Sequence, residues 1–270
     1  MDTLDALLQE VSQDLQRAEH LAGLILTFRK FGAAIVPAEI VRGDIRWDEA
    51  SLLLVSAQQH RTDLPYLSGS LILYITGRFE YYVKQLIQAA ADEMCSKIQN
   101  YEQLPAKMRL EIKSQTLDVV QNAKKYKFDE IQSNIFLSRL VENINGNCGP
   151  VVVASEVLSI TESNMRDKLL GELMTRIGIA DFWSELGKQA PLKILLQKAT
   201  DKDCTLESRN ILNKIMTERN LVAHPTSGTT YPDPESVVAH AKFVQCFCSA
   251  MVAVVRVHLA TFYTGTAGTA

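Results

Sequence analysis

Paired cysteines are the first thing missing. Cys95, Cys148, Cys204, Cys246 and Cys248 form no C-x-x-C pair and no regular framework. That excludes a disulfide scaffold and a zinc knuckle, and it fits reduced thiols in a cytoplasmic protein. A charge excess is also missing. With a formal net charge of −3, the chain exerts no global pull on nucleic acid, and any such contact must come from a local basic patch. No glycine-rich phosphate loop occurs, and Ser208, Ser227 and Ser236 lack the surroundings of a nucleophile elbow. His20, His60, His240 and His258 are scattered, so each reads as a surface or core histidine rather than a metal ligand. No metal site and no cofactor are expected. The N-terminus, MDTLDALLQEVSQDLQ, is acidic and amphipathic, unlike a signal or transit peptide. Internal repeats, low-complexity runs and a succession of alternating strands are absent as well.

What remains is helical periodicity, and the fold class it predicts is all-α: a multi-helix bundle with a long central C-terminal helix. Residues 3–28 carry Leu4, Leu7, Leu8, Val11, Leu15, Leu21, Leu24 and Ile25 at helical spacing. GAAIVPAEIVRGDIRW reads as a connection, and a helix over 48–60 is expected with Asp48 as its cap. A long helix over about 65–98 follows, then helices over 105–123 and 127–145. VVVASEVLSI reads either as a short strand or as an extended connector. Further helices are expected up to Gly178, over 180–187 and 191–199, over 206–223, and from Asp233-Pro234 up to the tail. The segment from Phe243 to Tyr263 is long enough to span a bilayer, but Gln245, Arg256 and His258 interrupt it. A buried central helix is the better reading, and no membrane contact is expected. The expected organisation is a helical extension over 1–60, one helical domain over 61–263, and a flexible tail over 264–270.

One stretch carries chemistry: MTERNLVAHPTSG, residues 216–228. Leu212, Ile215, Met216, Val222 and Ala223 make an apolar stripe, and Arg219 falls on it. A guanidinium cannot give up its charge, so there it needs a carboxylate, a phosphate or a subunit boundary. His224 is five residues on, about 140° around an ideal helix. Pro225 forbids the helix from continuing, so His224 sits at an unwinding end where its ring can swing back towards the Arg. The pair reads in two ways. One is an ion pair and a cap. The other is an Arg that neutralises phosphate beside a His that moves a proton, sufficient to cleave RNA through its own 2′-OH. The products would be a 2′,3′-cyclic phosphate and a free 5′-OH.

RNLVAHP resembles the R-(N/D/H)-x3-H motif of the HEPN superfamily (higher eukaryotes and prokaryotes nucleotide-binding domains). LILYITGRFEYYVKQLI is similar to that family's early core helix, with Glu80 before Tyr81-Tyr82. TESNMRDKLLGELMTRIGI is similar to the middle helix of its RiboL-PSP subgroup. The resemblance covers roughly residues 61–263. It implies an all-α homodimer whose facing motifs form a metal-independent endoribonuclease, acting as a toxin or effector in bacterial antiviral defence. An antitoxin or a defence-complex partner is implied with it. Carried over, Arg219 would hold the scissile phosphate, His224 would transfer protons, Asn220 would position, and Glu80 would orient Arg219. Thr226 stands where adenylylated relatives carry Tyr, although Tyr231 lies further along the same loop. A non-catalytic dimerisation, partner-binding or RNA-binding module is the alternative. NAKKYKF offers Lys124, Lys125, Tyr126 and Lys127 for RNA contact, or else a solvated helix end around a buried Tyr.

Overall fold

A computed structural model of the protein describes residues 2–44, 46–146 and 150–267. Among them lie twelve α-helices and no strand: α1 (Thr3–Gly32), α2 (Ala38–Arg42), α3 (Asp48–Gln59), α4 (Leu64–Ser96), α5 (Ala106–Gln121), α6 (Glu130–Ile144), α7 (Ser155–Leu158), α8 (Asp167–Arg176), α9 (Phe182–Gly187), α10 (Ala190–Leu196), α11 (Asp201–Ala223) and α12 (Pro234–Ala267). The protein is all-α, as the periodicity predicts. Cys148 lies outside the described residues; the other four cysteines are free thiols.

Local chemistry explains most boundaries. Asp129 opens α6 by accepting the Gln132 N–H at 2.7 Å while the Gln132 side chain reaches back to the Asp129 N–H, a capping box. Helix α11 begins five residues before the expected Leu206. Thr200 Oγ1 accepts the Asp203 N–H at 3.1 Å and donates to Asp203 Oδ2 at 2.7 Å, a reciprocal cap that starts the helix early. Asp48 is not the cap of α3 but its first helical residue, after Trp47. VVVASEVLSI is neither strand nor plain connector. Its residues Ser155–Leu158 form α7, whose Val157 and Leu158 are buried. Helix α12 runs to Ala267, past the Thr264 at which the tail is expected to start. Residues 268–270 lie outside the described residues.

The chain groups into two compact units. The first takes residues 1–11, 79–213 and 246–270; the second takes 12–78 and 214–245. In the first, the Phe79 and Phe247 rings lie 5.9 Å apart, and the buried Tyr82 hydroxyl donates to the Cys248 carbonyl at 3.0 Å. Arg256 of α12 pairs with Asp2 and Asp5. A smaller cluster gathers Val119, Phe136, Ala154 and Val157 under Tyr126, Phe128 and Ile160. Helix α12 is long and apolar enough to cross a membrane over Pro234–Tyr263, but 56% of an 18-residue apolar window within it is buried inside the protein. Phe247, Met251 and Val255 there are core residues, each covering on the order of 1.5–3 kcal/mol of apolar surface.

In the second unit, α1 buries Leu15, Ala18 and Ala22, and α4 buries Ile72 and Ile75. Helix α11 buries Ile215 and Met216, and α12 buries Val237 and Ala241. A buried carboxylate, Asp14, joins α1 to α4. It accepts from Tyr74 at 2.9 Å and pairs with Arg78 at 2.5 Å and Arg17 at 2.8 Å. A carboxylate removed from water requires such partners.

Candidate functional site

The last turn of α11 and the loop behind it lie wholly in the second unit. Helix α11 stops at Ala223, where Pro225 requires it to stop. Arg219 is half-buried one turn past the buried Ile215 and Met216. Its Nη1 donates to Asn220 Oδ1 at 3.1 Å. That partner is a neutral amide, so the guanidinium is oriented without its charge being cancelled there. His224 is exposed, and its backbone N–H donates to the Asn220 carbonyl at 3.0 Å. Asn220 therefore touches both predicted residues, one through its side chain and the other through its main chain.

Three supports around this turn carried no sequence signal. The buried His240 of α12 bonds Glu218 through Nε2 at 2.8 Å. Desolvation raises the Glu218 pKa, but the bond and charge of His240, with help from Lys214, more than offset this and hold it low. Tyr231, in the loop after His224, packs on Tyr66 of α4 with ring centroids 4.5 Å apart. Gly69 of α4 lies under Tyr231: a Cβ there would come within 2.7 Å of the Tyr231 ring and 3.1 Å of Val222. Arg29 of α1 pairs with Glu235, and lies 3.8 Å from Asp233, where α12 begins. The loop from His224 to Asp233 is thus held at both ends.

The other expected residues lie in the first unit. Glu80, half-buried on α4, accepts the Met165 N–H at 3.4 Å, a bond that fastens the approach to α8. Lys124 and Lys127 are exposed around the turn Ala123–Tyr126. Lys125 pairs with Glu162 at 2.5 Å and lies 4.9 Å over the Tyr126 ring. The Tyr126 hydroxyl bonds Asp118 and, at 3.0 Å, Glu162. Those carboxylates, Asp118 foremost, raise the tyrosine's pKa. A half-buried ring tied to two carboxylates and roofed by its own lysine is a poor stacking platform for a base.

A polar cleft of about 530 Å³ also lies in the first unit, and three of the four cations that line it are engaged. Arg209 pairs with Asp167 at 2.7 Å, Lys107 pairs with Glu111 at 2.8 Å, and Arg176 donates to the Leu158 and Ile160 carbonyls. Among the described residues, no three of His, Cys, Asp and Glu gather into a group able to hold a metal ion.

The order of helices around a motif of this form is what a family model captures, and the model of RiboL-PSP-HEPN matches residues 44–255. The chain belongs to the RiboL-PSP-HEPN family. No curated protein and no solved structure matches it. The matched span takes in Glu80, Arg219, Asn220 and His224, and starts just before α3, leaving α1 and α2 outside. RiboL-PSP-HEPN membership ties the chain to nuclease-like or RNA-related function.

Proposed function

We propose that the chain is a metal-independent endoribonuclease, acting as a toxin or effector in bacterial antiviral defence. The observation that carries this is the Asn220 bridge: a half-buried, charged Arg219 and an exposed His224 are held by one residue at the end of one helix. Arg219 neutralises the scissile phosphate with its planar fork of donors. His224 moves the proton between the 2′-OH and the leaving 5′-oxygen. The 2′-OH attacks phosphorus, the P–O5′ bond breaks, and the products are a 2′,3′-cyclic phosphate and a 5′-OH. Two copies supply two motifs to one composite site, so that one His accepts the proton and the other donates it. A protein partner keeps the activity in check.

The test is cleavage of mixed RNA in EDTA by the parent, Arg219→Ala and His224→Ala, with DNA of the same sequence as control. Cyclic-phosphate ends from the parent, lost at least a hundredfold in both variants and never seen with DNA, are the expected result. RNA left intact by the parent, alone and with the products of neighbouring genes, would overturn it. The non-catalytic reading then takes over: a module that binds RNA or a partner through the same turn. The internal pairing of Lys125 and Tyr126 with Glu162 favours the partner-binding form of that second reading, because it takes this lysine-rich stretch out of a stacking role.

A further inference from the structure

Lysine is an unexpected residue at position 127. It closes the turn Ala123–Tyr126 in the left-handed conformation, with φ at 61°, where glycine or asparagine sits at lower cost. The closing bond, from its N–H to the Lys124 carbonyl at 3.3 Å, uses backbone alone. What lysine adds is its side chain, and backbone strain of this kind gathers where a side chain is put to use. Lys127 lines a cavity of about 390 Å³ in the first unit, together with Lys84 and Gln88 of α4, Glu156 of α7 and Ser159 behind it. Sites for small molecules run from about 300 to 1,000 Å³.

Bonds between elements hold the cavity's shape. Lys125 and Tyr126 both reach Glu162, which ties the turn to the segment behind α7. Arg176 of α8 braces that segment by donating to the Leu158 and Ile160 carbonyls at 3.0 and 2.8 Å. Gln88 is fixed as well. Its Nε2 donates to Ser159 Oγ at 2.8 Å, and that hydroxyl donates to the Glu156 carbonyl at 2.9 Å. Phe128 and Ile160, packed on the cluster around Val119 and Phe136, supply an apolar wall.

Charge decides what such a cavity accepts. Three lysines and one acid, Glu156, line it. Glu162 takes Lys125, but the half-buried Lys84 and the exposed Lys127 form no ion pair among the described residues. An ammonium drawn part-way out of water without a counter-charge is costly, and two of them match an anion of double charge. A phosphomonoester carries about that charge at neutral pH, whereas a phosphodiester carries a single one. Glu156 and Gln88 suit hydroxyl or amine donors on whatever bears the phosphate. We propose that this cavity binds a phosphomonoester dianion, its phosphate held by Lys84 and Lys127. The inference does not depend on the ribonuclease reading. Cleavage through the 2′-OH yields a cyclic diester and a 5′-OH, and neither is a phosphomonoester, so the ligand is not that reaction's product. The dianion arrives on a small sugar phosphate or on the phosphorylated 5′ end of an RNA.

The test is isothermal titration calorimetry of the full chain with ribose 5-phosphate, with dimethyl phosphate, and with a short 2′-O-methyl RNA ending in a 5′-phosphate or a 5′-OH. The methylated RNA has no 2′-OH to attack, so it stays intact. The parent is expected to bind ribose 5-phosphate with a Kd on the order of 0.1 mM, and dimethyl phosphate at least tenfold more weakly. Lys84→Gln and Lys127→Gly each weaken binding at least tenfold, whereas Lys113→Gln, exposed on α5, leaves it unchanged. Glycine suits the left-handed position, so Lys127→Gly should melt no lower than the parent, which separates lost binding from lost folding. Methylated RNA that binds only when 5′-phosphorylated assigns the dianion to an RNA end. Ribose 5-phosphate bound without the RNA assigns it to a small molecule. A parent that binds no phosphomonoester at about 5 mM overturns the proposal. So does binding that survives both Lys84→Gln and Lys127→Gly, or dimethyl phosphate bound as tightly as ribose 5-phosphate.

Discussion

Substituting Gly69 by Ala replaces a poor helix former with the best one, in the second turn of a helix of 33 residues, and should by propensity alone gain about 1 kcal/mol. The surroundings predict the opposite sign. The added Cβ would lie 2.7 and 3.2 Å from two carbons of the Tyr231 ring and 3.1 Å from Val222 Cγ1, where carbon atoms normally rest about 3.5–4.0 Å apart. A ring carbon close to its own backbone cannot swing aside as the tip of a lysine would, so Tyr231 must move together with its loop. That movement costs the ring contact with Tyr66, about 0.5–1.5 kcal/mol, on top of overpacking of about 1–3 kcal/mol. Net of the helix gain, Gly69→Ala should destabilise the protein by about 0.5–3.5 kcal/mol and lower Tm by several degrees. The loop that moves carries His224, so RNA cleavage should fall further than Tm predicts. Thermal melts of Gly69→Ala in the parent and in Tyr231→Ala decide the matter. With the ring gone the clash is mostly relieved and the helix gain should show, reversing the sign. Equal destabilisation in both backgrounds, or a higher Tm in the parent, would refute the argument.

Acid should unfold the protein in two stages. Burial pushes the His258 pKa down, only partly opposed by its bond to the Ile177 carbonyl. The unfolded chain therefore takes up that proton first, and the stabilisation present above about pH 6.5 is lost as pH falls below it. Glu218 and Asp167 have pKa values held low despite the opposing effect of desolvation, Asp167 by Asn213 and Arg209. Their contributions are complete above the usual carboxylate range near pH 4 and disappear as pH falls through their lowered values. Melts from pH 8 to 3 check this, and in Glu218→Gln the lower stage should shrink, with about 2 kcal/mol lost at neutral pH. Gly187→Ala in α9 should be harsher than Gly69→Ala. The Cβ would lie 2.1 Å from Thr205 Oγ1 and 2.5 Å from the Asp201 carbonyl, and backbone cannot step aside. A loss of about 3 kcal/mol or more is expected in chemical denaturation, and a loss under 1 kcal/mol would contradict it.

Where the sequence was legible, the cause was local. Pro225 acts on the residue before it, so the end of α11 could be placed from five letters. Where it was not, the cause lay far along the chain. Glu80 meets Met165 across 85 positions, and His240 meets Glu218 across 22, distances at which helical periodicity carries no information. Tyr126 shows the same limit. Lysines around an aromatic read as a basic patch until Asp118 and Glu162 arrive from other elements to engage it. The helices α2 and α7 escaped because four or five residues complete barely one turn, too few to establish a period.

Glu218 and Arg219 are neighbours in sequence and about 100° apart around α11. The first holds a buried histidine on α12, and the second bonds Asn220 at the site. A genetic screen scoring only loss of activity would record both positions as equally essential. Purified variants would separate them, because Glu218 variants should melt early whereas Arg219 variants should keep the parent's thermal profile. The same adjacency marks where activity can be adjusted by degrees: at Glu218 and His240, changes would act on how firmly Arg219 is held, leaving Arg219, Asn220 and His224 themselves untouched.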